Sequence, residues 1–287
     1  MPHPVKGVDH IFLLVKDLDA SAEAYRRLGF TLSPRGTHSA DKGTANYTFV
    51  FQEDYAELLG VIADTPSSRE KTAMVERDGE GLRAVACRID DAHAARKALA
   101  ALGIKASPVG EFSRPLPLPD GSAGTAAFAV SEFAASETPA GLVFMCQQKT
   151  RDMVWRPELQ SHANGARALA GIVAVSDEPE AMARRFARLY AAGAVTQSEH
   201  GVFVTATGAH SASIYCMTPQ AAAARYSSDA IAATPQTGFA ALQVAVDDLD
   251  HARAALGANN IPFHDSPAGI WVEPSLACGM ILEFVPE

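Results

Sequence analysis

No run of about eighteen uninterrupted apolar residues occurs in this chain of 287 residues, so no helical membrane span is expected. Basic runs are missing too. Lys and Arg number 24 against 33 Asp and Glu, and the net charge of -9 argues against a nucleic-acid surface. The opening Met1-Pro-His-Pro-Val-Lys6 carries no signal-peptide pattern, and the expected location is the cytoplasm. Cysteine is scarce. Cys87, Cys146, Cys216 and Cys278 are widely scattered and form no CxxC pair, which argues against a disulfide framework and for reduced, buried thiols.

What remains is a composition suited to a soluble globular protein, with 48% hydrophobic and 20% charged residues. The length allows one large domain or two ordinary ones. A pattern of strand, helix and three strands recurs four times. The first unit opens with the strand Val8–Val15. A helix follows from Asp17, with Leu18, Ala22, Tyr25 and Leu28 on one stripe and Gly29 ending it. Phe30–Ser33, Asn46–Gln52 and Ala56–Ile62 read as its later strands, and Pro34–Gly43 as a loop.

The second unit runs from the strand Gly81–Ile89 through a helix at Asp90–Leu102 to the strands Thr125–Val130 and Leu142–Gln147. Between them, Arg114–Gly121 is rich in proline, with prolines at 115, 117 and 119, and reads as a stiff loop. Residues 149–167 make a linker between an N-terminal half, 1–148, and a C-terminal half, 168–287. The third unit opens with Leu169–Val175. Asp177 and Glu180 suggest a capping box before the stripe of Met182, Phe186 and Leu189. Gln220–Tyr226 reads as an extra helical turn or two. The fourth unit opens with Phe239–Val246 and ends with Met280–Val285. Each unit buries little alone, and pairing closes a core between sheets and helices.

Three residues of the first unit carry the chemistry: His10, His38 and Glu57. Strand alternation puts His10, Phe12 and Leu14 on one face, and Tyr55, Glu57 and Leu59 on one face. A carboxylate set into an apolar strand needs a cation, a metal or a donor beside it. His10 and Glu57 therefore read either as a metal or polar-substrate site or as a pair bonded only to each other. His38 reads as a third ligand, a substrate contact or an exposed loop histidine. Asn46 binds substrate or caps a turn. Trp155 and His162 either roof a pocket or pack the linker on a sheet.

The segments Val8-Asp-His-Ile11, Leu28-Gly-Phe30, Gly43-Thr-Ala-Asn46 and Tyr55-Ala-Glu-Leu-Leu59, with Trp155-Arg-Pro157 and His162-Ala-Asn-Gly165, resemble the glyoxalase-like subgroup of the vicinal oxygen chelate superfamily. The resemblance covers essentially the whole chain. It implies an α+β fold of four βαβββ modules, paired into two cupped mixed sheets with helices outside. It also implies a divalent metal in a cup, either zinc, nickel, manganese or iron. His10 and Glu57 fall at the ligand positions of the first and last strands. Glu283 matches Glu57 in the fourth unit and joins the ligand set if the first and fourth units share a cup. Ala84, Ala170 and Ala241 match His10 in the other units.

Two classes of function follow from the resemblance. One is a metal-dependent lyase or isomerase of a small oxygenated substrate, with Glu57 moving a proton. The other is a non-catalytic protein that sequesters a small molecule. A ring-cleaving dioxygenase is disfavoured, since the histidines that such enzymes place on the opening strands of the second half are missing here. The expected partner is a small molecule, with no nucleic acid and no membrane, and a homodimer is compatible with the resemblance.

Overall fold

The structure is a computed structural model that describes residues 2–118, 121–198 and 200–287. Four modules follow one another, each a strand, a helix and three strands. The first comprises β1 (Gly7–Val15), α1 (Leu18–Arg27), β2 (Gly36–Thr37), β3 (Thr44–Val50) and β4 (Tyr55–Val61). After α2 (Arg69–Asp78) come β5 (Gly81–Arg88), α3 (Ala92–Ala101), β6 (Gly110–Pro117), β7 (Ala123–Glu132) and β8 (Leu142–Gln148). The third module comprises β9 (Ala166–Val175), α4 (Pro179–Ala187), β10 (Val195–Gln197), β11 (Phe203–Thr205) and β12 (Ser213–Met217). Two short helices, α5 (Pro219–Arg225) and α6 (Ser228–Ala232), lead into the fourth. It comprises β13 (Gly238–Val246), α7 (Leu249–Ala258), β14 (His264–Asp265), β15 (Ile270–Val272) and β16 (Ile281–Pro286).

Modules one and two share one mixed sheet, in the order β2-β3-β4-β1-β5-β8-β7-β6, and modules three and four share another, β10-β11-β12-β9-β13-β16-β15-β14. The first and last strands of a module pair in parallel, as β1 does with β4, and the two opening strands pair antiparallel at the centre of each sheet. The α+β fold of βαβββ modules is thus as expected. Asp17, Asp91 and Asp248 start their helices by accepting the N–H groups of Ala20, Ala94 and Asp250. The cap expected from Asp177 is absent. Helix α4 follows Glu178 and opens on Pro179, which has no N–H to satisfy.

Alternate residues of β1 divide the molecule. Ile11, Leu13 and Val15 join Tyr25 and Leu28, Ala95 and Leu99 of the second module, and Phe186 and Leu256 of the other half in one continuous core. The helix-bearing faces of the two sheets therefore meet. Phe30 stacks on Phe284 at 6.0 Å, and the Tyr25 hydroxyl donates to the Ala277 carbonyl. Phe12 and Leu14 lie on the opposite, cupped face.

Two further expectations need correction, and one helix adds to them. Residues 30–33 are irregular, and Gly36–Thr37 takes the edge position beside β3. Helix α2 was not foreseen, because it buries no residue fully and so shows no apolar stripe. The proline-rich segment is a strand over Gly110–Pro117. It lies at the sheet edge, where a proline can be accommodated despite its missing donor. Pro119 lies outside the described residues.

Candidate functional site

The cup of the first sheet is a cavity of about 120 Å³, lined by His10, Phe12, Tyr55, Glu57 and Leu59 from the first module and by Phe112, Arg114, Phe128, Phe144 and Cys146 from the second. His38, Lys42, Thr44 and Asn46 complete one side, and Ser67 and Lys71 come from the approach to α2 and its first turn. His10, Glu57, His38 and Asn46 are thus brought to one cavity.

A bulge in β1 decides what the floor can do. Val8 pairs with Cys87 and His10 with Ala86, so Asp9 is an extra residue on its strand. Strict alternation would send Asp9 to the far face; instead its Oδ1 accepts from His10 Nδ1 at 2.7 Å. Gln148 Nε2 donates to the same oxygen at 2.8 Å. The His10 ring is stacked on Tyr55 with centroids 4.3 Å apart and meets the Phe144 ring at 5.5 Å, which fixes its orientation. Ligand-type atoms of Asp9, His10 and Cys146, all buried, lie within 4.8 Å of one another. Asp9 Oδ2 is buried with no hydrogen-bond partner, an oxygen that a cation would satisfy. Burial pushes the Cys146 thiol well above its usual range, and the carboxylates of Asp9 and Glu57 add to this. A carboxylate, an imidazole and a thiol make a donor set that fits a divalent metal. Asp9 and Cys146 were absent from the sequence-based candidates. The signal for Asp9 was the acidic residue inside the apolar run Val8-Asp-His-Ile11.

Glu57 is held from one side. Asn46 Nδ2 donates to its Oε1 at 2.8 Å, which orients the carboxylate. His38 sits at the edge of the cavity, sharing a 2.8 Å hydrogen bond with Thr44 Oγ1. Burial lowers the His38 pKa to about 4, so the ring is neutral at neutral pH.

The remaining candidates lie elsewhere. Trp155 is behind Tyr55, edge to face at 5.2 Å, with the Arg151 guanidinium 3.7 Å from its ring centroid. It supports the wall and does not line the cavity. His162 is a structural staple: its Nδ1 accepts the Thr31 N–H at 3.0 Å, so its Nε2–H donates to the Val50 carbonyl at 3.1 Å. Glu283 belongs to the other cup and cannot join His10. Arg225 grips both its oxygens at 3.0 and 2.9 Å, and the Tyr226 hydroxyl and Gln243 Nε2 each donate at 2.8 Å. That second cup is packed with Tyr226, which caps α5, and Ala230 and Ile231 of α6 against Trp271 and Val173. One of its bulges, at Ala240 of β13, carries Ala240-Ala241 where β1 carries Asp9-His10.

Comparison with known proteins agrees with this fold. The family model described as "Glyoxalase-like domain" matches residues 8–190. No curated protein matches the sequence. A hypothetical protein from Staphylococcus aureus is similar in structure, with a TM-score of 0.66 at 10% identity, over 98% of this chain and 99% of that one. A mutant of 4-hydroxymandelate synthase from Streptomyces coelicolor gives 0.59 at 16% identity, over 93% and 78%. A fusion protein of a xylose isomerase-like TIM barrel and a 4-hydroxyphenylpyruvate dioxygenase also gives 0.59, at 14% identity, over 100% of this chain and 50% of that one. At these identities the structural likenesses establish the fold alone, whereas the family match spans well over half of the chain. The chain belongs to the glyoxalase-like family of the vicinal oxygen chelate superfamily.

Proposed function

We propose that this protein is a metal-dependent lyase or isomerase that works on a small oxygenated substrate in the N-terminal cup. The observation that carries the reading is the buried group of Asp9, His10 and Cys146, of which His10 and Cys146 line the cavity together with Glu57. These three residues would hold the metal. A thiol among the donors favours zinc or iron over manganese. When bound, the metal would supply Lewis-acid polarisation of a substrate oxygen.

The chain's own groups do the rest. Glu57, oriented by Asn46, moves the proton. Neutral His38 offers a hydrogen bond at the rim without adding charge. Phe12, Phe128 and Phe144 make the wall apolar and limit water around the reacting atoms. Sequestration without catalysis is the second reading, favoured by the alanines at 84, 170 and 241 where the family ligand position would be.

Protein purified without chelators and analysed for metals separates the two. The enzyme reading expects one divalent ion per chain in the wild type and a large loss in His10→Ala and in Cys146→Ser. Wild type that stays metal-free after incubation with zinc, nickel, manganese or ferrous iron sinks the metal-dependent reading and leaves sequestration.

A further inference from the structure

The N-terminal cup carries more positive charge than its chemistry so far explains. Lys42, Lys71 and Arg114 line it against a single lining carboxylate, Glu57. The chain as a whole bears a net charge of -9. Elsewhere its arginines find carboxylates, as Arg35 does with Asp19, Arg69 with Asp64 and Arg225 with Glu283. Among the described residues, no carboxylate lies within ion-pair distance of Lys42, Lys71 or Arg114.

Arg114 is the most telling of the three. It is only 7% exposed, and its Nε is buried with no hydrogen-bond partner. A guanidinium cannot shed its proton to escape burial, and an unpaired buried charge is costly. The surroundings make room for it. A Cβ at Gly36 would press on the Arg114 guanidinium and the Asn46 side chain, which lie as they do beside a glycine. Lys42 lies 3.7 Å from the Phe112 ring centroid, and burial followed by the charge of Lys71 lowers its pKa.

We infer that the cup binds a small organic anion, its carboxylate seated on Arg114, Lys42 and Lys71 and its apolar body against Phe12, Phe128 and Phe144. The inference rests on the proposed role of the N-terminal cup as the substrate chamber and names the class of substrate. A planar guanidinium matches a carboxylate in bidentate fashion, and the aromatic wall has no match in an inorganic ion.

Titration calorimetry tests it on the full chain with benzoate, phenylacetate and pyruvate, each against its neutral amide, and with inorganic phosphate. At least one acid should bind roughly tenfold or more tightly than its amide, the size expected for a charge-assisted pair. Arg114→Gln should erase that preference, and Lys71→Gln, on a partly exposed helix, should weaken it several-fold. If Arg114→Gln does not fold, the double variant Lys42→Gln, Lys71→Gln serves in its place and should likewise lose the preference. Acids that bind no better than their amides, or a preference that survives these substitutions, overturn the inference. Phosphate that binds more tightly than every acid overturns the organic body. Metal content measured on the same samples reports separately on Asp9, His10 and Cys146. Loss of the anion result with metal retained fails the inference alone, and metal-free protein that still prefers acids fails the metal-dependent reading alone.

Discussion

Asp9 and His10 are neighbours in the chain, yet their side chains meet, Oδ1 to Nδ1 at 2.7 Å, because the strand bulges between Val8 and His10. This contact makes the first cup different from the second, where the corresponding bulge presents Ala240 and Ala241. One cup holds these donors, and the other is filled by side chains.

The two matching glutamates should answer differently to substitution. Glu283 is wholly buried and held by Arg225, Tyr226 and Gln243. Arg225→Met leaves that carboxylate without its cation and should cost about 3–5 kcal/mol. Glu57→Gln keeps a hydrogen bond to Asn46 and should change stability by less than about 1 kcal/mol while removing the proposed proton carrier. Urea unfolding of both variants checks the contrast, and equal losses would contradict it.

The sequence showed the modules because each opening strand and stripe is written locally. Val8–Val15, the stripe from Leu18 to Leu28, and Asp17 and Asp248 at helix starts all lie within a few residues of the structure they make. The candidate site was only partly legible. His10, Glu57, His38 and Asn46 were readable from alternation and resemblance. Asp9 was not, since a bulge depends on how β1 pairs with β5. Cys146 looked like any buried thiol, because nothing in its own strand marks it as a neighbour of His10. Glu283 was misplaced because Arg225 and Tyr226 come from a helix and its cap between modules, which no alignment of the repeats includes.

Asp54 should give stability an unusual pH dependence. It accepts the Leu169 N–H at 3.0 Å, and burial raises its pKa from 3.8 to about 7. Between about pH 4 and 7 the folded protein therefore holds a proton that the unfolded chain has lost. The associated stability is present below the unfolded pKa and disappears as pH rises through about 7. Asp54→Asn keeps an acceptor for Leu169 and should be more stable than wild type at pH 8, by up to a few kcal/mol, with the gain vanishing near pH 4. Thermal melts across that range decide it, and a gain that does not shrink as pH falls would count against the assignment.

His162 works in the opposite sense. Burial lowers its pKa from 6.5 to about 4, so the unfolded chain binds the extra proton between those values. Its contribution is present above about pH 6.5 and is lost as pH falls through about 4. His162→Ala strands the Thr31 N–H and the Val50 carbonyl and should cost about 2–4 kcal/mol at pH 7. That penalty should shrink on acidification. Denaturant titrations of both proteins at pH 7 and pH 4 measure it, and a penalty constant with pH would refute this role.

The central claim is that a thiolate, an imidazole and a carboxylate of one cup share a metal. Cobalt(II) reports on this directly, because a cobalt–thiolate bond produces a charge-transfer absorption in the near ultraviolet that nitrogen and oxygen donors do not. Loading the apoprotein with cobalt should produce that band at one equivalent, and Cys146→Ser should lose it while the protein stays folded. Cobalt bound without the band, or no cobalt bound at all, would contradict the site formed by Asp9, His10 and Cys146.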